Sequence, residues 1–201
     1  SRKDSNSPAK LFWSSSGGGT AVIQYLTVAD NPSGTPDRVF GPYASHWMPM
    51  DYERVSGSDN RLLWTKTDDG AANLWRLDAN DNLITQKLYA ARGVGWMARA
   101  YVKPPGYNGR ILWTYTSGSW TTVQIWALDI NDDYASHVTY GPFFEWFATG
   151  YDYNGDSTRR LLWNHPNGTA AIWKLNAQDQ YLGQEDHGPY WVWQAEDWSR
   201  E

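Results

Sequence analysis

Lys10-Leu11-Phe12-Trp13 returns as Arg61-Leu62-Leu63-Trp64, Arg110-Ile111-Leu112-Trp113 and Arg160-Leu161-Leu162-Trp163, the tryptophans standing 51, 49 and 50 residues apart. A period of this size marks stacked supersecondary units, none of which buries its own apolar face. Working outward from the second copy, the run Arg61 to Thr65 is followed by Asp69-Gly70 and a second run, Ala72 to Asp78. An Asp-Gly dipeptide between two such runs predicts a β-hairpin, because its turn needs positive φ angles matching strand twist. The corresponding turns are Gly17-Gly18, Ser117-Gly118 and Asn167-Gly168, and the second strand carries Trp75, Trp126 and Trp173, with Tyr25 assigned to that place in the first repeat.

A polar turn (Ala79 to Asn82; Ile130 to Asp133) then leads to a third strand, Leu83 to Tyr89 or Tyr134 to Tyr140. Gly-Pro-aromatic (Gly41-Pro42-Tyr43, Gly141-Pro142-Phe143, Gly188-Pro189-Tyr190) is expected to end that strand. A fourth strand begins at Trp47, Trp96, Trp146 or Trp193 and runs to an aromatic five residues on. With no helical period anywhere, the expectation is an all-β, four-bladed β-propeller of four-stranded sheets. Residues 1–9 read as a flexible tail and residues 10–201 as one domain, with repeats at about 10–60, 61–109, 110–159 and 160–201. The chain starts without a Trp-x-x-x-x-aromatic strand and ends after one, so the terminal strands are expected to pair and close the ring, bringing Trp198 near Phe12.

Fourteen tryptophans and 13 tyrosines supply both a β core and ring faces for stacking. The first-strand tryptophans (13, 64, 113, 163) and Trp75, Trp126 and Trp173 are assigned to the core. A net charge of −5 with scattered Lys and Arg disfavours nucleic acid. No apolar run is long enough to insert in a membrane as a helix. There is no cysteine, so thiol chemistry and disulfides are excluded. The four histidines fall at four different places in the repeat, so neither a metal ring nor a repeated general base is expected, and no cofactor motif is found. The Asp-rich turns are read as turn chemistry rather than calcium loops, and Lys10, Arg61, Arg110 and Arg160 as partners of carboxylates on neighbouring blades.

The Arg-Leu-Leu-Trp phrase, Asn167 to Asn176, Gly-Pro-Tyr and the Trp-bearing strands resemble the aromatic-rich repeats of bacterial secreted proteins and, in rhythm, the tachylectin and tectonin propeller lectins. The resemblance implies a class of function, multivalent carbohydrate binding, and carries no binding residue. The residues supply candidates of their own: a sugar's C–H face stacks on indole while its hydroxyls need planar polar partners. Trp47 with Asp51 and Tyr52, Trp96 with Arg99 and Tyr101, Trp146 with Tyr151 and Asp152, and Trp193 with Glu196 and Asp197 offer both in each repeat. The expectation is a non-enzymatic lectin, secreted or at the cell surface, with glycans as partners. The alternative is a protein-interaction or structural module of a larger secreted or surface protein.

Overall fold

The computed structural model describes residues 9–15, 19–27, 29, 31–44, 46–55, 59–104, 106–154, 158–191 and 194–195. Within them there are fifteen strands and no helix. The chain divides into two compact units, Ser1–Val94 and Gly95–Glu201, each with two antiparallel sheets. The first unit holds β1 (Lys10–Ser14), β2 (Ala21–Tyr25) and β3 (Arg38–Phe40) as one sheet. Its second sheet comprises β4 (Trp47–Arg54), β5 (Asn60–Lys66), β6 (Ala72–Leu77) and β7 (Leu83–Tyr89). The second unit holds β8 (Trp96–Val102), β9 (Arg110–Ser117), β10 (Trp120–Leu128) and β11 (Tyr134–Phe144), then β12 (Phe147–Tyr153), β13 (Arg159–Asn164), β14 (Ala170–Leu175) and β15 (Tyr181–His187). Each sheet lies in chain order, as a propeller blade does, and the fold class is the all-β one expected. The pairing that would close a ring, and the approach of Trp198 to Phe12, lie outside the described residues.

The sheets are offset from the sequence repeats by one strand. Trp47 and Trp96 open strands that pair with the Arg-Leu-Leu-Trp or Arg-Ile-Leu-Trp strand following them, and Trp146 stands just before the equivalent β12. Each of these leading strands carries a bulge at one equivalent place, between Pro49 and Asp51, Ala98 and Ala100, and Ala148 and Gly150. A bulge re-aims the side chain it inserts. The inner strands are the buried ones: β5 is covered from Asn60 to Thr65, whereas β15 is exposed nearly throughout. Proline ends β3 and β15 but not β11, which runs on through Pro142 to Phe144. The Gly-Pro pair there falls in a register shift on an outer strand, where a missing N–H interrupts no second ladder.

In each unit the core lies between the two sheets. Ala21, Ile23, Leu62, Trp64, Trp75 and Leu77 form it in the first unit, and Leu112, Val123, Ile125, Leu161, Trp163 and Leu175 anchor it in the second. The Gly-Pro-aromatic residue of one sheet packs edge-on against the tryptophan pair of the next: Tyr43 on Trp64 and Trp75 at 5.1 and 5.4 Å, Phe143 on Trp163 and Trp173 at 5.3 and 5.5 Å. Edge-to-face contact is the arrangement that ring quadrupoles favour.

Two assignments change. Register places Gln24, not Tyr25, in the position of Trp75, since Gln24 opposes Leu11 as Trp75 opposes Leu62. Tyr25 therefore takes the place of Arg76, on the other face of its strand. Trp13 is not core but 56% exposed. Trp64, Trp113 and Trp163 each pack on the tryptophan of the next strand at 5.1–5.3 Å, whereas Trp13 has Gln24 in that place and donates its indole N–H to it at 3.3 Å.

Candidate binding cleft

Trp47, Trp96 and Trp146 are all half-buried. Trp47 packs on the core of the first unit, Trp96 lies 5.3 Å from the ring of Tyr115, and Trp146 lies 5.1 Å from that of the half-buried His165. Arg99 is the inserted residue of the β8 bulge and donates Nε to Thr114 Oγ1 at 3.2 Å. Burial pushes its guanidinium pKa down. Asp51 and Asp152 are half-buried in β4 and β12, and Asp152 accepts the N–H of Tyr153 at 2.6 Å. The tyrosines paired with these tryptophans in sequence stand about 17 Å away along the strand. Their hydroxyls are committed inward. Tyr52 donates to Asp81 at 2.7 Å, Tyr101 to Asp132 at 3.2 Å and Tyr151 to Asp179 at 2.5 Å, with Tyr101 and Tyr151 only 1% and 4% exposed. Trp193, Glu196 and Asp197 lie outside the described residues.

The three aspartates were not among the sequence candidates, and their placement is local in origin. Asp78 Oδ1 accepts the N–H groups of Asn80 and Asn82, Asp129 those of Asn131 and Asp133, and Asn176 those of Gln178 and Gln180. These are the side-chain-capped turns that the sequence predicts. Each holds its fourth residue at a φ near +60° (Asp81, Asp132, Asp179), a conformation Asp adopts at modest cost, and turns the carboxylate inward to at most 8% exposure. Asp81 collects Lys10 Nζ at 2.6 Å, Tyr25 and Tyr52 hydroxyls at 2.7 Å each and Asn60 Nδ2 at 2.6 Å. Asp179 accepts Arg110 Nε at 2.7 Å, and Arg159 Nε stands 3.4 Å away. Lys10 and Arg110 thus do cap a carboxylate of the adjacent sheet. Burial first, and then the aspartate, pushes the Tyr25 hydroxyl up to about 12 and raises those of Tyr52 and Tyr151 as well.

Beside the Arg110–Asp179 pair a cleft of about 530 Å³ opens between the sheets of the second unit. The corresponding groove of the first unit is filled by two side chains. Tyr25 opposes Lys10 and donates to Asn80 O at 3.0 Å, and Arg38 opposes Ile23 and donates Nε to the same oxygen at 3.0 Å. In the second unit Ala127 opposes Arg110 and Val138 opposes Ile125, so the same two places hold an alanine and a valine. Tyr107, Asn108, His137 and Gln178 line the space that results. Among the described residues, the Tyr107 hydroxyl, both carboxamides and His137 Nε2 have no hydrogen-bond partner, while Tyr134 hydroxyl lies 2.7 Å from His137 Nδ1. An aromatic wall with a few free, convergent polar groups is what a small polar ligand requires. The repeat comparison carries a signal for the cleft in retrospect: it combines the small residues Ala127 and Val138 with the turn least like the others, Asn176 to Asp179.

A comparison with protein-family models finds none that matches the chain, and one with curated proteins finds no similar sequence. What the structure supports is an aromatic-rich arrangement of blade-like sheets, with no family or homologue evidence for the tachylectin and tectonin lectins specifically. No described helix is long and apolar enough to cross a membrane.

Proposed function

We propose that the chain is a non-enzymatic carbohydrate-binding protein, acting outside the cell or at its surface, and that the cleft beside Arg110 and Asp179 is a sugar site. The observation that carries this reading is the contrast between two equivalent grooves, one packed with Tyr25 and Arg38, the other left as a cleft with unpartnered hydroxyl, amide and imidazole groups. Tyr107 offers the ring for a sugar's C–H face, and Asn108, Gln178 and His137 offer the planar partners its hydroxyls need. A single such site gives weak affinity, which multivalent display raises by effective concentration.

The test is a glycan array probed with the wild-type chain and with an Ala127→Tyr/Val138→Arg variant, which rebuilds the filling of the first unit. Binding by the wild type that disappears in the variant supports the reading. A wild-type protein that binds no glycan, or a variant that binds as well, refutes it. A second reading rests on Tyr190 and Trp191, which are 66% and 71% exposed side by side, Tyr190 bordering a smaller, apolar hollow by His187 and Ala195. Exposed aromatics of this kind suit contact with a protein partner, and pull-down against Tyr190→Ser/Trp191→Ser separates that role from glycan binding.

A further inference from the structure

We propose that the sugar taken by this cleft is an acidic one, a glycan bearing a carboxylate; this rests on the reading of the cleft as a sugar site. Two arginines share one acid there. Arg110 gives Nε to Asp179 and Nη1 to the carbonyls of Asn108 and Gly109 at 3.2 and 3.1 Å, which leaves its Nη2 without a hydrogen bond among the described residues. Arg159, 1% exposed, lies behind the cleft with its guanidinium carbon 6.0 Å from the centre of the Tyr107 ring. It gives Nη1 to Asn176 O at 3.0 Å, and its buried Nε has no hydrogen-bond partner. Asp179 is the sole carboxylate lining the cleft among the described residues. It is also the one carboxylate that either arginine pairs with among the described residues, so the cluster of Arg110, Arg159 and Asp179 carries one positive charge in excess, in a chain whose net charge is −5.

The first unit shows that this charge is not required by the fold. Asn60 stands where Arg159 does, each opening the strand that pairs with its sheet's leading strand, and it satisfies Asp81 with a neutral amide while also reaching Asp78 O at 3.1 Å. An amide is enough to hold the turn. The arginine in the second unit adds a charge that its turn does not need, at low dielectric, beneath the one aromatic wall of an open cleft. A ligand carboxylate seated on Tyr107 and reaching Arg110 Nη2 uses that excess, and the free amides of Asn108 and Gln178 remain for hydroxyls. A neutral sugar of the same shape leaves it unused.

The test is calorimetric titration of the full chain with matched pairs: glucose and glucuronate, galactose and galacturonate, and the methyl ester of N-acetylneuraminate and N-acetylneuraminate itself. The acidic member of at least one pair should bind about tenfold or more tightly than its neutral partner, the increment of one charge-assisted hydrogen bond. Arg159→Asn, which copies the first unit, should bring that ratio close to one by lowering the acidic sugar's affinity about tenfold more than the neutral sugar's. A merely structural arginine would lower both affinities together and would overturn the assignment. Neutral sugars binding as well as acidic ones in the wild type would overturn the acidic preference and leave the sugar site standing. No binding by any member of the panel would count against both.

Discussion

Asp179 accepts from Arg110 and Tyr151 and neutralises part of the charge of Arg159, so its loss leaves buried cations and a buried hydroxyl without their acceptor. Asp179→Ala should destabilise the chain by roughly 3–5 kcal/mol, as removal of one partner from a buried charge cluster does. Thermal unfolding would show it, and Asp179→Asn, which keeps an acceptor for Tyr151, should cost less. The tyrosines around these aspartates also set a pH limit. Tyr25 is pushed up to about 12 when folded, against an ordinary value near 10. The unfolded chain therefore gives up this proton first as pH rises, and the contribution of the neutral hydroxyl, full below pH 10, is lost between about 10 and 12. Tyrosinate absorbance should accordingly rise together with loss of structure over that window. Titration of all tyrosines well below any unfolding transition would contradict this. The carboxylates themselves were hidden in the sequence. The turn around Asp78 and Asp81 is legible as turn chemistry, but that the fourth residue faces inward depends on the positive φ angle at Asp81. The signal was present in the three-residue spacing of Asp78 and Asp81, Asp129 and Asp132, and Asn176 and Asp179, repeated in step with Tyr52, Tyr101 and Tyr151.

At the scale of strands and sheets, the aromatic contacts between neighbouring sheets make equivalent tryptophans unequal. Trp163 is buried against Phe143 and Trp173, whereas Trp13 is more than half exposed. Trp163→Ala should cost about 3–5 kcal/mol and Trp13→Ala within about 0.5 kcal/mol, measured by denaturant unfolding. Equal losses would mean that Trp13 is covered as the others are. The hairpins were plain in the sequence because Asp69-Gly70 and Asn167-Gly168 fix their own turns locally. The ownership of the fourth strand was not, since Trp47 and Trp96 are close in sequence to one sheet yet hydrogen-bond into the next. Periodicity cannot decide between two partners. The one-residue error at Tyr25 has the same origin: Gln24 and Tyr25 are adjacent, and a slip of one in an alternating strand exchanges its faces. That slip concealed the feature that matters most for the cleft, because Tyr25 belongs to the groove and its counterpart is Ala127.

For the molecule as a whole, the repeat supplies a scaffold and the departures from it supply the site. The sequence candidates followed what recurs, the tryptophans at 47, 96 and 146 with nearby acids and tyrosines. The cleft lies at the other end of the strands, where Ala127, Val138, Gln178 and Arg159 each differ from their counterparts in the first unit. Tyr25→Ala/Arg38→Val should open the first unit's groove and leave binding at the cleft unchanged, which a titration of the variant beside the wild type would check. The most direct measurement is an amide and indole 1H–15N chemical-shift map of the wild-type chain during titration with the tightest-binding glycan of the array. A sugar in the cleft predicts shifts concentrated at Tyr107, Asn108, His137 and Gln178, with the indole resonances of Trp47, Trp96 and Trp146 unmoved. Shifts confined to those three indoles would contradict it.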